Sequence, residues 1–130
     1  MPPTGNRPPL SEAQVEIMNL FWEHKTCSVA DVWKILNARR GISRNTVHTM
    51  IIRLEEKGWL RRKVSGNSVE FIPTVTQKKA QQQTLRRLLD TVFSGSIEGM
   101  ILTLLNDPTV SQEDADKIRS LIDQAKGDDQ

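Results

Sequence analysis

At Gly58 the hydrophobic rhythm of this chain changes, and no other feature restricts its fold as much. Upstream, apolar residues recur at the three- and four-residue spacing of amphipathic helices. Downstream, WLRRKV and SVEFIP are short β-compatible runs, and in the second Val69, Phe71 and Pro73 alternate with Ser68, Glu70 and Ile72. The helical part is itself cut in three. LSEAQV opens the first piece, with Ser11 as N-cap, Gln14 as its capping-box partner, and Leu10 against Val15 as a hydrophobic staple. Val15, Ile17, Met18, Phe21 and Trp22 then form a broad apolar face that should run to about His24. The second piece follows Ser28, carries Val29, Val32, Trp33 and Leu36, and stops at Gly41. The third starts at Ser43 with the stripe Val47, Met50, Ile51 and Leu54, and Gly58 closes it. Ser65-Gly66-Asn67 then turns one strand-like run into the next.

Three short helices followed by a hairpin is the order of a winged helix-turn-helix, here over residues 10–75. The fold class is therefore mainly α with a small β-hairpin wing. Residues 1–9 are expected to be a disordered lead-in, and Thr74 to Gln83 is polar enough to act as a spacer. Beyond it the pattern is helical again over 76–125, with a flexible tail at 126–130. Leu85, Leu88, Leu89 and Val92 form one stripe; Ile97, Met100, Ile101, Leu104 and Leu105 form a second after Ser94-Gly95-Ser96. Asn106-Asp107-Pro108 is a stop, Ser111 caps again, and Ile118, Leu121 and Ile122 complete a third stripe. Residues 76–130 contain no aromatic residue except Phe93, so this set buries little by itself. These stripes are expected to find a partner surface in a second copy of the chain.

Charge is modest in total, +2, but unevenly spread. Residues 39–66 hold Arg39, Arg40, Arg44, Arg53, Lys57, Arg61, Arg62 and Lys63 against only Glu55 and Glu56, which points to an anionic partner of local extent. Projected at about 100° per residue, the third helix turns Asn45, His48, Thr49, Ile52, Arg53 and Glu56 away from its apolar stripe, with Arg44 and Thr46 at the flank. Asn pairs bidentately with adenine and Arg with guanine, while Thr serves a base edge or a thymine methyl. Arg61, Arg62 and Lys63 in the first strand would grip the backbone beside the groove. Any amphipathic helix has a polar outer face, so the helix alone decides nothing. The combination of capped helices, basic hairpin and concentrated charge favours double-stranded DNA, read by helix 44–57 and wing 59–73. A protein-interaction adaptor whose basic face meets an acidic partner is the alternative.

Other classes fare poorly. The longest apolar runs are a few residues, so no helical membrane span is expected, and the first ten residues lack the apolar core of a secretory signal. The single cysteine, Cys27, excludes an internal disulfide and suits a reducing cytoplasm. His24 and Cys27 stand three apart, but a zinc site usually needs four ligands, and His48 is the other histidine. The expectation is a surface histidine, a half-buried thiol and no metal. No GxSxG, HExxH, P-loop or GxGxxG motif occurs, so neither an enzyme nor a cofactor is expected.

With those residues in hand, the chain resembles the penicillinase-repressor family of bacterial transcription factors, which includes the methicillin-resistance repressors. The likeness is strongest over LSEAQVEIMNLFWEH and SRNTVHTMIIRLEEKGWLRRK, and extends from Leu10 to about Ile122. It implies a homodimer on a palindromic operator. It also implies groove contacts at Asn45, Thr46, His48 and Thr49, a backbone contact at Arg53, and wing contacts near Lys63. In the best-known members a membrane sensor triggers proteolysis of the repressor at an Asn-Phe bond. Gly99-Met100-Ile101-Leu102-Thr103-Leu104 stands in the comparable region and lacks that bond. A copper-sensing branch uses C-terminal cysteines, and this chain has none there.

Overall fold

The computed structural model describes residues 7–128. In chain order the elements are α1 (Glu12–His24), α2 (Val29–Arg40), α3 (Arg44–Glu56), β1 (Leu60–Ser65), β2 (Ser68–Pro73), α4 (Gln77–Thr91), α5 (Ile97–Leu105) and α6 (Gln112–Asp128). The described residues thus form a winged helix-turn-helix followed by further helices. Packing divides the chain into two compact units between Thr84 and Leu85, a point that falls inside α4.

The helices start where local chemistry requires. Ser11 Oγ accepts from the Gln14 amide at 3.2 Å, and Gln14 Oε1 accepts from the Ser11 amide at 2.9 Å. Ser28 and Asp31 make the same reciprocal pair at the head of α2, at 3.1 and 3.0 Å. Each box satisfies two amides that a bare helix start would leave unpaired. Gly41, at φ +61°, ends α2 in the left-handed conformation that an L side chain rarely adopts, and its amide donates to Asn37 O.

The core of the first unit forms where these helices meet. Ile17, Met18 and Phe21 from α1, Val32 and Leu36 from α2, and Val47, Ile51 and Leu54 from α3 are all completely buried. α2 packs on α3, and both α1 and α3 reach the hairpin. Val75 and Ala80 belong to this same core, so Thr74 to Gln83 is packed rather than a free spacer. Buried apolar positions outweigh the polarity of their neighbours in that stretch.

The hairpin pairs in antiparallel register from Leu60↔Pro73 to Ser65↔Ser68, leaving Gly66-Asn67 as a two-residue turn. Facing residues share a side, so Leu60, Arg62, Val64, Val69, Phe71 and Pro73 lie on one face and Arg61, Lys63, Glu70 and Ile72 on the other. The first face turns to the core, where Leu60 and Phe71 are buried. A third strand position, not evident in the sequence, comes from Cys27. Its amide donates to Phe71 O at 3.2 Å and its carbonyl accepts from the Phe71 amide at 2.8 Å. Cys27 is consequently buried, not half-buried, and burial foremost, with Asp31 and Glu70 adding to it, pushes its thiol up to about 11.

Each of the three tryptophans directs its indole N–H at a backbone carbonyl, as a buried indole requires. Trp22 donates to Val75 O, Trp33 to Ile42 O and Trp59 to Pro8 O, all at 2.9 Å. Arg7 Nε donates to Gly58 O at 2.8 Å. Within the expected lead-in, Arg7 and Pro8 are therefore docked at the root of the hairpin; residues 1–6 lie outside the described residues. At the other end α6 continues to Asp128, and residues 129–130 lie outside them too.

Asp31 supplies a pH test. The Ser28 amide, then the Ser28 hydroxyl and nearby Lys34 and His24, hold its carboxyl below its ordinary value of 3.8. A depressed folded value means that the ionised cap stabilises the fold at pH above 3.8, and that this contribution disappears as pH falls through the folded value. At neutral pH Asp31→Asn should cost about 0.3–1 kcal/mol, the range for an exposed, salt-screened carboxylate at a helix start. In urea titrations the gap between the two proteins should close as the pH drops below the carboxylate range. A gap that widens on acidification would contradict this assignment.

Candidate nucleic-acid interface

The orientation of α3 is set from both ends. Trp33, from the middle of α2, reaches Ile42 in the short turn and holds it, while Val47, Ile51 and Leu54 seat the helix in the core. Ser43 caps the start. Its Oγ accepts from the Thr46 amide at 3.1 Å and lies 2.8 Å from Thr46 Oγ1. Arg44, Asn45, Thr46, His48, Thr49 and Arg53 are left exposed on the side away from the core. Thr46 is thereby partly engaged by the cap, whereas Asn45, His48 and Thr49 make no internal side-chain hydrogen bond among the described residues. Ile52, expected to face outward, is instead half-buried and packs against the core edge.

The hairpin separates the three basic residues that follow Leu60. Arg61 and Lys63 point to the face opposite Phe71 and are exposed. Arg62 shares the Phe71 face, and its guanidinium carbon lies 5.4 Å from that ring's centroid. Its Nε and Nη2 donate to the two carboxylate oxygens of Glu55 in α3, at 3.2 and 3.0 Å. Arg62 thus ties the hairpin to α3 through a bidentate, planar contact that lysine could not make.

Ion pairing sorts the rest of the basic segment. Arg40 and Arg39 approach Glu16 of α1 at 2.9 and 3.8 Å, and Lys57 Nζ donates to Gln14 Oε1 at 3.2 Å. Arg44, Arg53, Arg61 and Lys63 form no ion pair among the described residues. Of the cations that the sequence gathers into one patch, these four and Lys57, whose partner Gln14 is an uncharged amide, have no carboxylate partner among the described residues. No group of three or more His, Cys, Asp or Glu side chains suited to a metal ion occurs among the described residues, and no helix of the described chain is long and apolar enough to cross a membrane.

In the second unit most of the expected apolar stripe lies open in the single chain. Leu85, Val92, Ile97 and Leu121 are 51%, 66%, 61% and 64% exposed, and Leu88, Leu104 and Ile122 are exposed as well. Met100, Ile101, Leu105 and Ile118 are intermediate, and Leu89 is already buried. Leu102 is also exposed. It falls off the i, i+3, i+4 stripe and for that reason escaped the sequence pattern. Its signal was the composition of α5, IEGMILTLL, in which six of nine residues are large and apolar.

Residues 10–124 match the model of the family described as Penicillinase repressor. The chain belongs to that family. It is a family of transcriptional repressors, not of enzymes. Among curated relatives, the methicillin resistance regulatory protein MecI of Mammaliicoccus sciuri is 24% identical over 113 residues, covering 87% of this chain and 92% of that one. The penicillinase repressor of Bacillus licheniformis is 24% identical over 119 residues, covering 92% and 93%. Among solved structures, the DNA binding domain of the repressor BlaI superposes with a TM-score of 0.51 at 28% identity, over 57% of this chain and 90% of that one. The Bacillus licheniformis BlaI monomeric form in complex with the blaP half-operator gives the same figures. A mutant of E. coli MarR complexed with operator DNA shares the fold at a TM-score of 0.51 and 16% identity, over 89% of this chain and 75% of that one. The winged-helix class inferred from the sequence is thus borne out, as is the family.

The Arg62–Glu55 contact is open to a double-mutant cycle. Both partners are partly exposed, so the coupling in unfolding free energy between Arg62→Ala and Glu55→Ala should be about 0.2–1 kcal/mol. Amide exchange in β1 should quicken in either single variant. A coupling indistinguishable from zero would rule out the tether.

Proposed function

We propose that this repressor acts in the cytoplasm as a homodimer on a palindromic DNA operator, reading bases with helix 44–57 and gripping the backbone with wing 59–73. The observation that carries the reading is the outward face of α3. Asn45, His48 and Thr49 stand exposed on a rigidly seated helix, flanked by Arg44, Arg53, Arg61 and Lys63, none of which has an ion-pair partner among the described residues. Asn45 and Thr49 offer base-edge chemistry, and the four cations offer phosphate chemistry. The BlaI complex with its half-operator supports DNA as the partner. Arg62 acts differently from its neighbours, holding the wing at the angle at which Arg61 and Lys63 can work.

The dimer is supported by the open stripes of the second unit. Six of the nine residues of α5 are large and apolar, and Ile97, Leu102 and Leu104 among them stay exposed in the single chain, so this helix needs further cover. Two-fold symmetry would then present two reading helices about 34 Å apart, one turn of the duplex.

Binding to DNA from the chain's own upstream region, followed by gel shift across a salt series, tests the first part. Asn45→Ala and Thr49→Ala should each cost about 1–3 kcal/mol on the preferred sequence and little on random duplex. Arg61→Ala and Lys63→Ala should weaken both duplexes alike and lower the salt slope by about one per cation removed. Equal losses on both duplexes for Asn45→Ala would withdraw its base-reading role. A partner protein co-purifying with a chain that protects no DNA at low salt would favour an adaptor. For the second part, sedimentation of Val92→Glu/Leu121→Glu should give a single chain where the parent gives a pair. A parent that sediments as a monomer at micromolar concentration would refute the dimer.

A further inference from the structure

A groove of about 580 Å³ opens on the side of the first unit where the hairpin, the end of α1 and the start of α4 meet. That size falls within the roughly 300–1,000 Å³ of small-molecule sites. Its lining is mixed: Trp22, Ile72 and Pro73 are apolar, and Thr26, Thr74 and Gln77 are polar. Two lysines, Lys25 and Lys63, line it with them, and neither forms an ion pair among the described residues. Glu70, opposite Lys63 in the strand register, does not come within ion-pair distance of it. A partly apolar trough bordered by two ammonium groups that make no ion pair is complementary to a molecule that is apolar at one end and anionic at the other.

The backbone beneath Lys25 adds a second, independent observation. Lys25 sits at φ +69° and ψ −48°, with the Thr26 amide donating to His24 O at 2.8 Å across it. This is the γ-turn of positive φ, which strains any residue with a side chain. The turn itself is required, because it ends α1 two residues before Cys27 meets Phe71. A lysine is not required for it. Glycine would make the same turn without strain, so the chain keeps a costly residue whose side chain borders the groove.

We propose that this groove binds an amphipathic organic monoanion, an apolar body carrying one carboxylate or sulfonate, held by Lys25 and Lys63. Because Lys63 is also a wing cation in the proposed reading of DNA, occupation of the groove withdraws it from the operator backbone; this link rests on that reading. The ligand therefore acts as an inducer.

The test uses the full chain and 1-anilinonaphthalene-8-sulfonate as probe. Amide chemical shifts should move at Trp22, Lys25, Thr26, Lys63, Ile72 and Thr74 to Gln77. Lys25→Gly should unfold at the same temperature as the parent or higher, yet bind the probe about tenfold more weakly, the loss expected for a charge-assisted contact. Lys25→Glu, which keeps a side chain at the turn, should bind more weakly still. Parent-like binding by both variants, or shifts confined to residues 85–122, would overturn the site. Operator affinity, measured first without probe, should fall when the probe saturates the parent and not when the same concentration is added to Lys25→Glu. Unchanged affinity with the groove occupied overturns the link to Lys63, and a chain that binds no DNA before the probe is added fails on the DNA reading instead.

Discussion

The backbone pair between Cys27 and Phe71 is the contact on which the reading surface depends. A two-stranded hairpin in water is marginal at best and gains a fixed position only by pairing with a further strand or packing on helices. Phe71 does both at one residue, exchanging two hydrogen bonds with Cys27 and burying its ring in the helical core. Arg62 then lies over that ring and reaches Glu55, so the same phenylalanine that fastens the hairpin also helps aim the arginine that ties it to α3. The thiol of Cys27 fits this role. Raised to about 11, it stays neutral and protonated near neutral pH, and behaves as a small apolar side chain in a strand bridge.

A consequence is that nominal positive charge is a poor guide to the charge available to a partner. Arg39 and Arg40 are drawn back onto Glu16, and Arg62 onto Glu55. Exposed pairs of this kind add little to stability, but they fix long side chains and remove their charge from the field seen at a distance. The cations left over are Arg44 and Arg53 on α3, Arg61 and Lys63 on the hairpin, and Lys57, whose partner Gln14 is an uncharged amide. The paired residues hold the frame, and the first four of the unpaired ones border the surface where α3 presents Asn45, His48 and Thr49.

How much of this could be read from the sequence follows the range of the interaction. Helix starts at Ser11, Ser28 and Ser43 were legible because a capping serine bonds to a residue three positions away. The hairpin itself was legible from its turn residues and strand-like runs, but its register was not: the sequence suggested a turn of three residues, Ser65-Gly66-Asn67, whereas Ser65 pairs with Ser68 and leaves two. Contacts that span the chain left no local mark. Nothing near Arg62 distinguishes it from Arg61 and Lys63 until β1 assigns them to opposite faces, and nothing near Cys27 announces a partner 44 positions away. The polar stretch from Thr74 to Gln83 resembled a spacer because composition averages over Val75 and Ala80, the two residues that pack. Likewise the proline-rich start hid that Pro8 would accept the Trp59 indole N–H.

The second unit obeys a different constraint. In the first unit the apolar faces of three helices close on one another and leave nearly every large aliphatic residue covered. In the second, α5 has nine residues and α6 begins with a charged turn, so the aliphatic residues outnumber the positions that neighbouring helices can shield. Leu89 shows that the unit does form an interior; Leu85, Val92, Ile97, Leu102 and Leu121 show that this interior is not where most of its aliphatic surface goes. Exposed leucines scattered singly need no explanation. A run of them on three successive helices does, since water-exposed apolar surface on that scale favours association. In the proposed dimer, another copy of the same helices would supply aliphatic cover for these residues.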